Sequence, residues 1–421
     1  MIPAEPPAGR FTAVLNVPAF RHYFVARTVS QFGDRLVPVA LAFAVLRATH
    51  SAGDLSLVLI SSAAAQLAVL PAGGVIADRW PRRSLMIATD LAQFAVTAAV
   101  LIAFLLGPVS VALLAAAGAA QGAAAAVFQP AATGLVPALV SPRQLPDANA
   151  LSQLSEATTR VAGLAAAGVL AAAAGPRGPA WTFAADAATF AASAISLARI
   201  RITEPPVRNQ ASATTAHRPA RWRTDLQAGW TAFRSCPWIC VVTPVLLLAD
   251  FGYAVFIVLG PLACLRYYHG AVTWSAVSAI GAAGSVAGGL ATARFRPRHP
   301  LRWALPAAAC FALPPLALAA RLPVAAVAAS SVLGETGLLL FARLYLTALQ
   351  RTFAPDVMSR VSSFGLTGSA AAYPLGLACA APLAGAVTAG PALGLAGVVM
   401  MVSILGPLLA PSTRSFEQSI E

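Results

Sequence analysis

Twelve long apolar stretches alternate with short polar connections along the 421 residues of this chain. They run at roughly 20–46, 54–77, 84–106, 109–130, 149–173, 180–199, 238–262, 272–293, 303–320, 323–347, 361–386 and 391–410. A helix needs about 20 mostly apolar residues to cross the hydrocarbon core of a bilayer. The pattern therefore predicts an all-α polytopic membrane protein of twelve transmembrane helices. Six spans precede the one long polar segment, which carries Pro205, Pro206, Asn209, Gln210, Ser212 and Thr214 and reads as a linker. Within it, Asp225–Phe233 reads as a short interfacial helix. The expected organisation is a six-helix bundle over 1–199, a linker with that interfacial helix over 200–236, and a second six-helix bundle with a short tail over 237–421.

Composition agrees with the span pattern. Hydrophobic residues make up 58% of the chain and charged residues 10%, with a mean hydropathy of +0.74. A soluble protein carries about a quarter charged residues. Residues Met1–Asn16 lack the form of a signal peptide, because the apolar run starts late and is too long, so the first span is expected to be retained. The net charge of +13 comes wholly from arginine, for there is no lysine. This arginine lies in short loops between spans, which excludes nucleic-acid binding as its purpose and leaves membrane topology. A Walker A loop needs lysine and is excluded too. Twenty arginines fall in the even-numbered loops and termini, against Arg47, Arg177, Arg266 and Arg321 in the odd-numbered loops. The positive-inside rule then places both termini and the linker in the cytoplasm and the spans in the cell (inner) membrane. The five cysteines and five histidines show no metal spacing, and no enzyme constellation or cofactor site is expected. The partners expected are the lipid bilayer, protons and a small molecule, with the chain acting as a monomer.

The most distinctive local feature joins the second and third spans. Gly74, Asp78, Arg79, Arg82 and Arg83 sit in a ten-residue stretch between two apolar runs. A weaker copy recurs 215 residues later, with Gly289, Arg294 and Arg298 but with Ala293 in place of the acid. Asp34 and Asp250 are separated by nearly the same offset. Two marks at one offset point to a duplicated six-helix unit, a common transporter design.

The Gly74–Arg83 stretch resembles the loop 2–3 signature of the major facilitator superfamily, with Pro81 in place of the usual glycine. Other stretches are similar to its drug and siderophore efflux branch, which includes macrolide and enterobactin exporters. They include Ser30 to Asp34, Phe128 to Ala131, Ala148 to Leu151 and Leu349 to Asp356. Two antiporter signatures are altered: Gly118 stands where many drug/proton antiporters have arginine, and Gly163-Leu164 replaces Gly-Pro. The resemblance implies two pseudo-repeated bundles working by alternating access, with spans 1, 4, 7 and 10 around a central cavity. It also implies that Asp78 with Arg79 and Arg83 latches the cytoplasmic ends of the halves, while Gly74 lets span 2 approach a neighbour.

Ionisable groups inside the membrane are costly and mark candidate sites. Arg27, Gln31 and Asp34 fall at i, i+4 and i+7 on one face of span 1, with Asp34 about 14 residues, or ~21 Å, from the cytoplasmic edge. Asp250 in span 7 lies at similar depth, and Glu335 and Arg343 lie near one stripe of span 10. With the resemblance, Asp34, Gln121, Asp250 and Glu335 are expected to converge as a proton and substrate site. The competing reading pairs Asp34 with Arg27 or Arg35, and Glu335 with Arg343. Glu156 and Arg160, at i and i+4, read as a salt bridge; Asp90 reads as a partner of the loop 2–3 arginines, and Asp186 as structural. Trp181, Trp230, Trp238, Trp274 and Trp303 read as interface anchors.

These readings lead to a secondary exporter of small, largely apolar, drug-like compounds driven by proton antiport. The alternative is export of a siderophore or other anionic metabolite on Arg27, Arg35 and Arg343. A membrane sensor or scaffold is disfavoured because no loop is long enough to form a soluble domain.

Overall fold

A computed structural model describes residues 7–174, 177–201, 230–231, 233–292, 295–353, 355–414 and 416. The described residues form helices joined by short connections, with no strand among them. A short helix, α1 (Pro7–Leu15), precedes the six spans α2 (Pro18–Thr49), α3 (Ala52–Arg79), α4 (Arg82–Leu106), α5 (Val111–Leu139), α6 (Leu145–Ala174) and α7 (Gly178–Ala198). The second set comprises α8 (Pro237–Tyr267), α9 (Ala271–Thr292), α10 (Pro300–Ala309) continued through a 3-10 turn into α11 (Leu313–Ala319), α12 (Val324–Thr352), α13 (Pro355–Val387) and α14 (Ala389–Leu405). A final turn, α15, covers Pro411–Arg414. Counting α10–α11 as one, twelve helices stand where twelve spans are expected. Nine of them are long and apolar enough to cross a membrane by length and composition. Of the Asp225–Phe233 stretch, residues 230, 231 and 233 are described and are helical; the rest of it and most of the linker lie outside the described residues.

Several helices overrun their expected ends. α5 continues through Pro130 and Pro137 to Leu139, nine residues past the apolar boundary. Interior prolines are tolerated because neighbouring helices and side chains satisfy the freed carbonyls. α5 starts on a capping serine whose Oγ accepts the Leu113 N–H at 3.2 Å. α8 and α10 begin on Pro237 and Pro300, where a missing N–H costs nothing.

The chain divides into two compact units, residues 1–49 with 57–210 and residues 50–56 with 211–421. In the first unit α2 and α4 both pack on α7, α2 also on α6, and α4 on α5. In the second, α8 packs on α13 and α14, α9 and α10 pack on α12, and α11 packs on α14. Renumbered within each half, spans 1·6, 3·6, 1·5 and 3·4 are matched by 7·12, 9·12, 7·11 and 9·10. The same helix pairs thus build both bundles, which is the structural imprint of the pseudo-repeat. Spans 2·4 and 8·10 also correspond, and both contacts depend on glycine. Gly118 and Gly122 of α5 lie against the Val58 and Ser62 carbonyls of α3, while Gly284 and Gly288 of α9 lie against Val332 and Thr336 of α12. The Thr336 hydroxyl donates to the Gly284 carbonyl at 2.9 Å.

Two tryptophans depart from the interfacial expectation. Trp181, Trp230 and Trp303 are exposed, as anchors should be, but Trp238 and Trp274 are buried. Trp238 packs edge-on to Tyr345 and against Phe416, and Trp274 packs on Phe256 in the space left by Gly260. Proximity to a span end does not decide whether an indole faces lipid or a neighbouring helix.

Candidate functional site

The first unit encloses a cavity of about 200 Å³, lined from α2, α3, α4, α5 and α7. α2 contributes Arg27, Ser30 and Asp34 at i, i+3 and i+7, one helical stripe. α3 adds Ser62 and Gln66, α4 adds Gln93, α5 adds Gln121 and Gln129, and α7 adds Asp186. Apolar cover comes from Val37, Pro38, Ala125 and Phe128. Nine of the fourteen lining residues are polar or charged. Four glutamine amides, each donor and acceptor, give the cavity its character. A space of this size admits several waters at ~30 Å³ each.

Asp34 is exposed to this cavity and makes no hydrogen bond or ion pair among the described residues. The two arginines nearest it in sequence are engaged elsewhere. Arg27 donates to Gln129 Oε1 at 2.9 Å and lies 5.1 Å from the centre of the Phe128 ring. Arg35, a further 100° around the helix, points to α6 and lies 3.6 Å from Glu156. Glu156, expected to pair with Arg160 of its own helix, thus reaches span 1. Gln31 is buried beside the cavity stripe, and its Oε1 finds no partner among the described residues. Gln121 Nε2 donates to Thr97 Oγ1 at 3.4 Å, and that hydroxyl in turn donates to Asp186 Oδ2 at 3.4 Å. Gln66, Gln93 and Gln129 are cavity residues that the sequence reading passed over. Their signal was present in part: Gln66 and Gln93 are amides well inside apolar runs, and Gln129 stands at the end of one.

Asp90 is not a partner of the loop arginines. It is fully buried between α4 and α7, where the Ser193 hydroxyl donates to its Oδ2 at 2.6 Å. Asp186, also fully buried, reaches the cavity from α7.

The remaining intramembrane candidates lie in the second unit. Asp250 of α8 and Glu335 of α12 are both half-buried. The Glu335 side chain packs on α9, 3.4 Å from where a Cβ on Gly281 would stand. Arg343 donates to the Phe295 carbonyl just beyond α9 at 3.1 Å.

In the last turn of α3, the side chain of Asp78 lies outside those described, as do Ala293 and Arg294 of the second copy. Arg79 is exposed at the end of α3. Arg82 donates to the Gly134 carbonyl of α5. Arg83 donates through Nε to the Leu197 carbonyl at 2.9 Å and through Nη2 to the Ala198 carbonyl at 2.6 Å. These are carbonyls of the last turn of α7, which have no partner within the helix and attract cations. Arg82 and Arg83 thus staple the first unit internally. Among the described residues no atom lies within 4 Å of where a Cβ on Gly74 would be; Gly73, a further 100° around, lies against the backbone of α5 at Ala126. Removing the staple in Arg83→Ala is expected to cost about 1–2 kcal/mol of stability, read as a lower thermal midpoint with ligand affinity unchanged.

Twelve apolar helices in two pseudo-repeated bundles, one of them holding a polar cavity with an unpaired carboxylate, define a multi-pass membrane transporter. The Major Facilitator Superfamily profile matches residues 23–377, and the chain belongs to that family. Solved structures of the same fold include the nucleoside transporter NupG, with 10% identity, TM-score 0.70, and coverage of 93% of this chain and 99% of that one. A proton-dependent oligopeptide transporter matches with 14% identity, TM-score 0.69, and coverage of 94% and 99%. A bacterial homologue of the human lysosomal transporter Spinster matches with 15% identity, TM-score 0.60, and coverage of 98% and 97%. Among curated protein sequences none matches.

Proposed function

We propose that this transporter is a proton-driven exporter of small amphiphilic compounds that carry a positive charge and hydrogen-bonding groups. The observation that carries the reading is Asp34, a carboxylate in the cavity wall with both neighbouring arginines engaged elsewhere. Such a group can hold a proton or a substrate cation, and exchange between the two is enough for antiport. The four glutamines supply neutral hydrogen bonds, while Phe128 and Val37 supply an apolar face. The substrate class therefore moves from largely apolar compounds toward amphiphiles. Export is inferred from the similarity to the efflux branch.

The anionic-metabolite reading needs Arg27, Arg35 and Arg343 as its contacts. Each already has a partner, in Gln129, Glu156 and the Phe295 carbonyl. A cationic substrate is the better fit. In this reading Asp250 and Glu335 extend the same chemistry to the second unit, and Asp78 with Arg79 gates the cytoplasmic side. The transporter works as a monomer in the cell membrane with both termini cytoplasmic.

The test is a panel of cationic amphiphiles and iron-chelating anions, measured as resistance or efflux in an efflux-deficient host. Proton-driven export predicts protection against the cations that a protonophore abolishes. Protonophore-insensitive efflux, or protection confined to the anions, would overturn the proposal.

A further inference from the structure

Behind Asp34 the first unit holds two acids that the transport reading leaves without a role. Asp186 is 1% exposed and Asp90 is 0% exposed. They form two rungs between α4 and α7, Thr97 with Asp186 and Asp90 with Ser193. Seven residues separate the rungs on each helix, about 10 Å of rise. Each carboxyl uses Oδ2 for its hydroxyl partner and leaves Oδ1 without a hydrogen bond among the described residues. The vacant oxygen of Asp186 is aimed at α2: a Cβ on Gly33, the residue before Asp34, would overlap it. Gly33 thus brings the α2 backbone against this carboxyl, and Asp34 and Asp186 share the cavity wall.

An ionised carboxylate buried with an unsatisfied oxygen is far more costly than a neutral one, and a proton on that oxygen removes the charge. The charged groups on the helices packed around Asp186 are Arg21, Arg27, Asp34, Arg35 and Arg47 on α2, Arg82, Arg83 and Asp90 on α4, and Asp147, Glu156 and Arg160 on α6. Arg35 is already paired with Glu156, Arg27 is bonded to Gln129, and Asp34 adds a like charge within electrostatic reach. Among the described residues no three acids, histidines or cysteines are arranged to hold a metal ion.

We propose that Asp186 is a second proton-binding residue, which holds the coupling proton while Asp34 holds the cationic group of the substrate. This rests on the proton-driven reading above. In the transfer an O–H bond of the Asp34 carboxyl breaks and one forms at Asp186 Oδ1, directly or through cavity water. Asp34 is left as a carboxylate and Asp186 becomes neutral, with no further reactant. Proton and substrate then need not compete for one carboxyl. The Asp90–Ser193 rung extends the acid path toward the end of α7 that Arg83 caps.

The experiment is an infrared pH titration of the full-length protein in lipid, following the protonated-carboxyl bands without substrate. The parent should show separate titrating bands for Asp34 and Asp186. Asp186→Asn should lose one band, equivalent to one proton per chain, and Asp34→Asn should lose the other. Thr97→Val, which keeps the carboxyl but removes its donor, should shift the Asp186 midpoint and keeps the test available if Asp186→Asn does not fold. A spectrum of Asp186→Asn identical to that of the parent, or a Thr97→Val titration that does not move, would overturn the proposal. So would a band displaced by sodium at constant pH, which would make the site a cation site. Failure of the transport reading is distinguishable, because it would show as protonophore-insensitive transport while the two bands persist.

Discussion

Asp34→Asn is expected to reduce proton-driven transport on the order of 100-fold while the protein inserts and folds as before. The amide matches the carboxyl in size and can still hydrogen-bond in a cavity already lined by four glutamines. What it cannot do is alternate between neutral and charged forms. Were Asp34 structural, held by Arg27 or Arg35, the substitution would leave an arginine unpaired and show first as lost stability. The geometry argues against that. Arg27 keeps Gln129 and Phe128, and Arg35 keeps Glu156, whichever residue stands at 34. The expected signature is thus lost turnover with an unchanged melting profile, and partial recovery in Asp34→Glu, which restores an ionisable group one methylene longer. Transport by purified protein in vesicles with an imposed pH gradient measures it. Parental rates in Asp34→Asn would move the coupling site elsewhere, with Asp250 or Glu335 next in order.

The fold was legible in the sequence because hydropathy, span length and arginine bias are strong signals that each act over some twenty residues. Cavity faces were legible in part: Asp34 and Gln121, expected to converge on a cavity, both line one. What the sequence does not encode locally is which neighbour receives a side chain. Asp90 lies near the loop arginines in sequence, yet α4 turns it inward to Ser193, a residue 103 positions away. Arg83 crosses 114 positions to cap α7. Gln31 and Ser30 differ by one residue, and the cavity takes Ser30. Gly73 and Gly74 are adjacent, and among the described residues only the first meets a neighbouring backbone. In each case a single step of 100° around a helix decides the outcome, and apolar periodicity is weak in helices that are apolar nearly all round.

The same 100° step governs the second large effect. Gly122→Val is expected to destabilise the first unit by at least about 1–3 kcal/mol, the usual range for overpacking a close contact. Gly118 and Gly122 stand one turn apart on α5 and meet the carbonyls of Val58 and Ser62, one turn apart on α3. Small residues at this spacing let two helix backbones touch in a membrane, where packing rather than hydrophobicity holds helices together. A Cβ at Gly122 would overlap the Ser62 carbonyl, and a backbone atom cannot swing aside as a side-chain tip can. A β-branched residue there must push α3 away from α5. Ser62, Gln121 and Gly122 all line the cavity, so the same displacement deforms the wall that carries Gln121. The loss of stability is therefore expected together with weakened ligand binding, unlike Arg83→Ala, where stability alone should fall. Gly74→Ala is the contrasting control. With no atom of the described residues near its Cβ position it should leave the thermal midpoint at or above that of the parent, since alanine favours helix. Thermal inactivation of the three variants in detergent separates these outcomes. A Gly122→Val protein that melts with the parent would mean that α3 and α5 do not meet through their backbones, and the cavity wall would need another support.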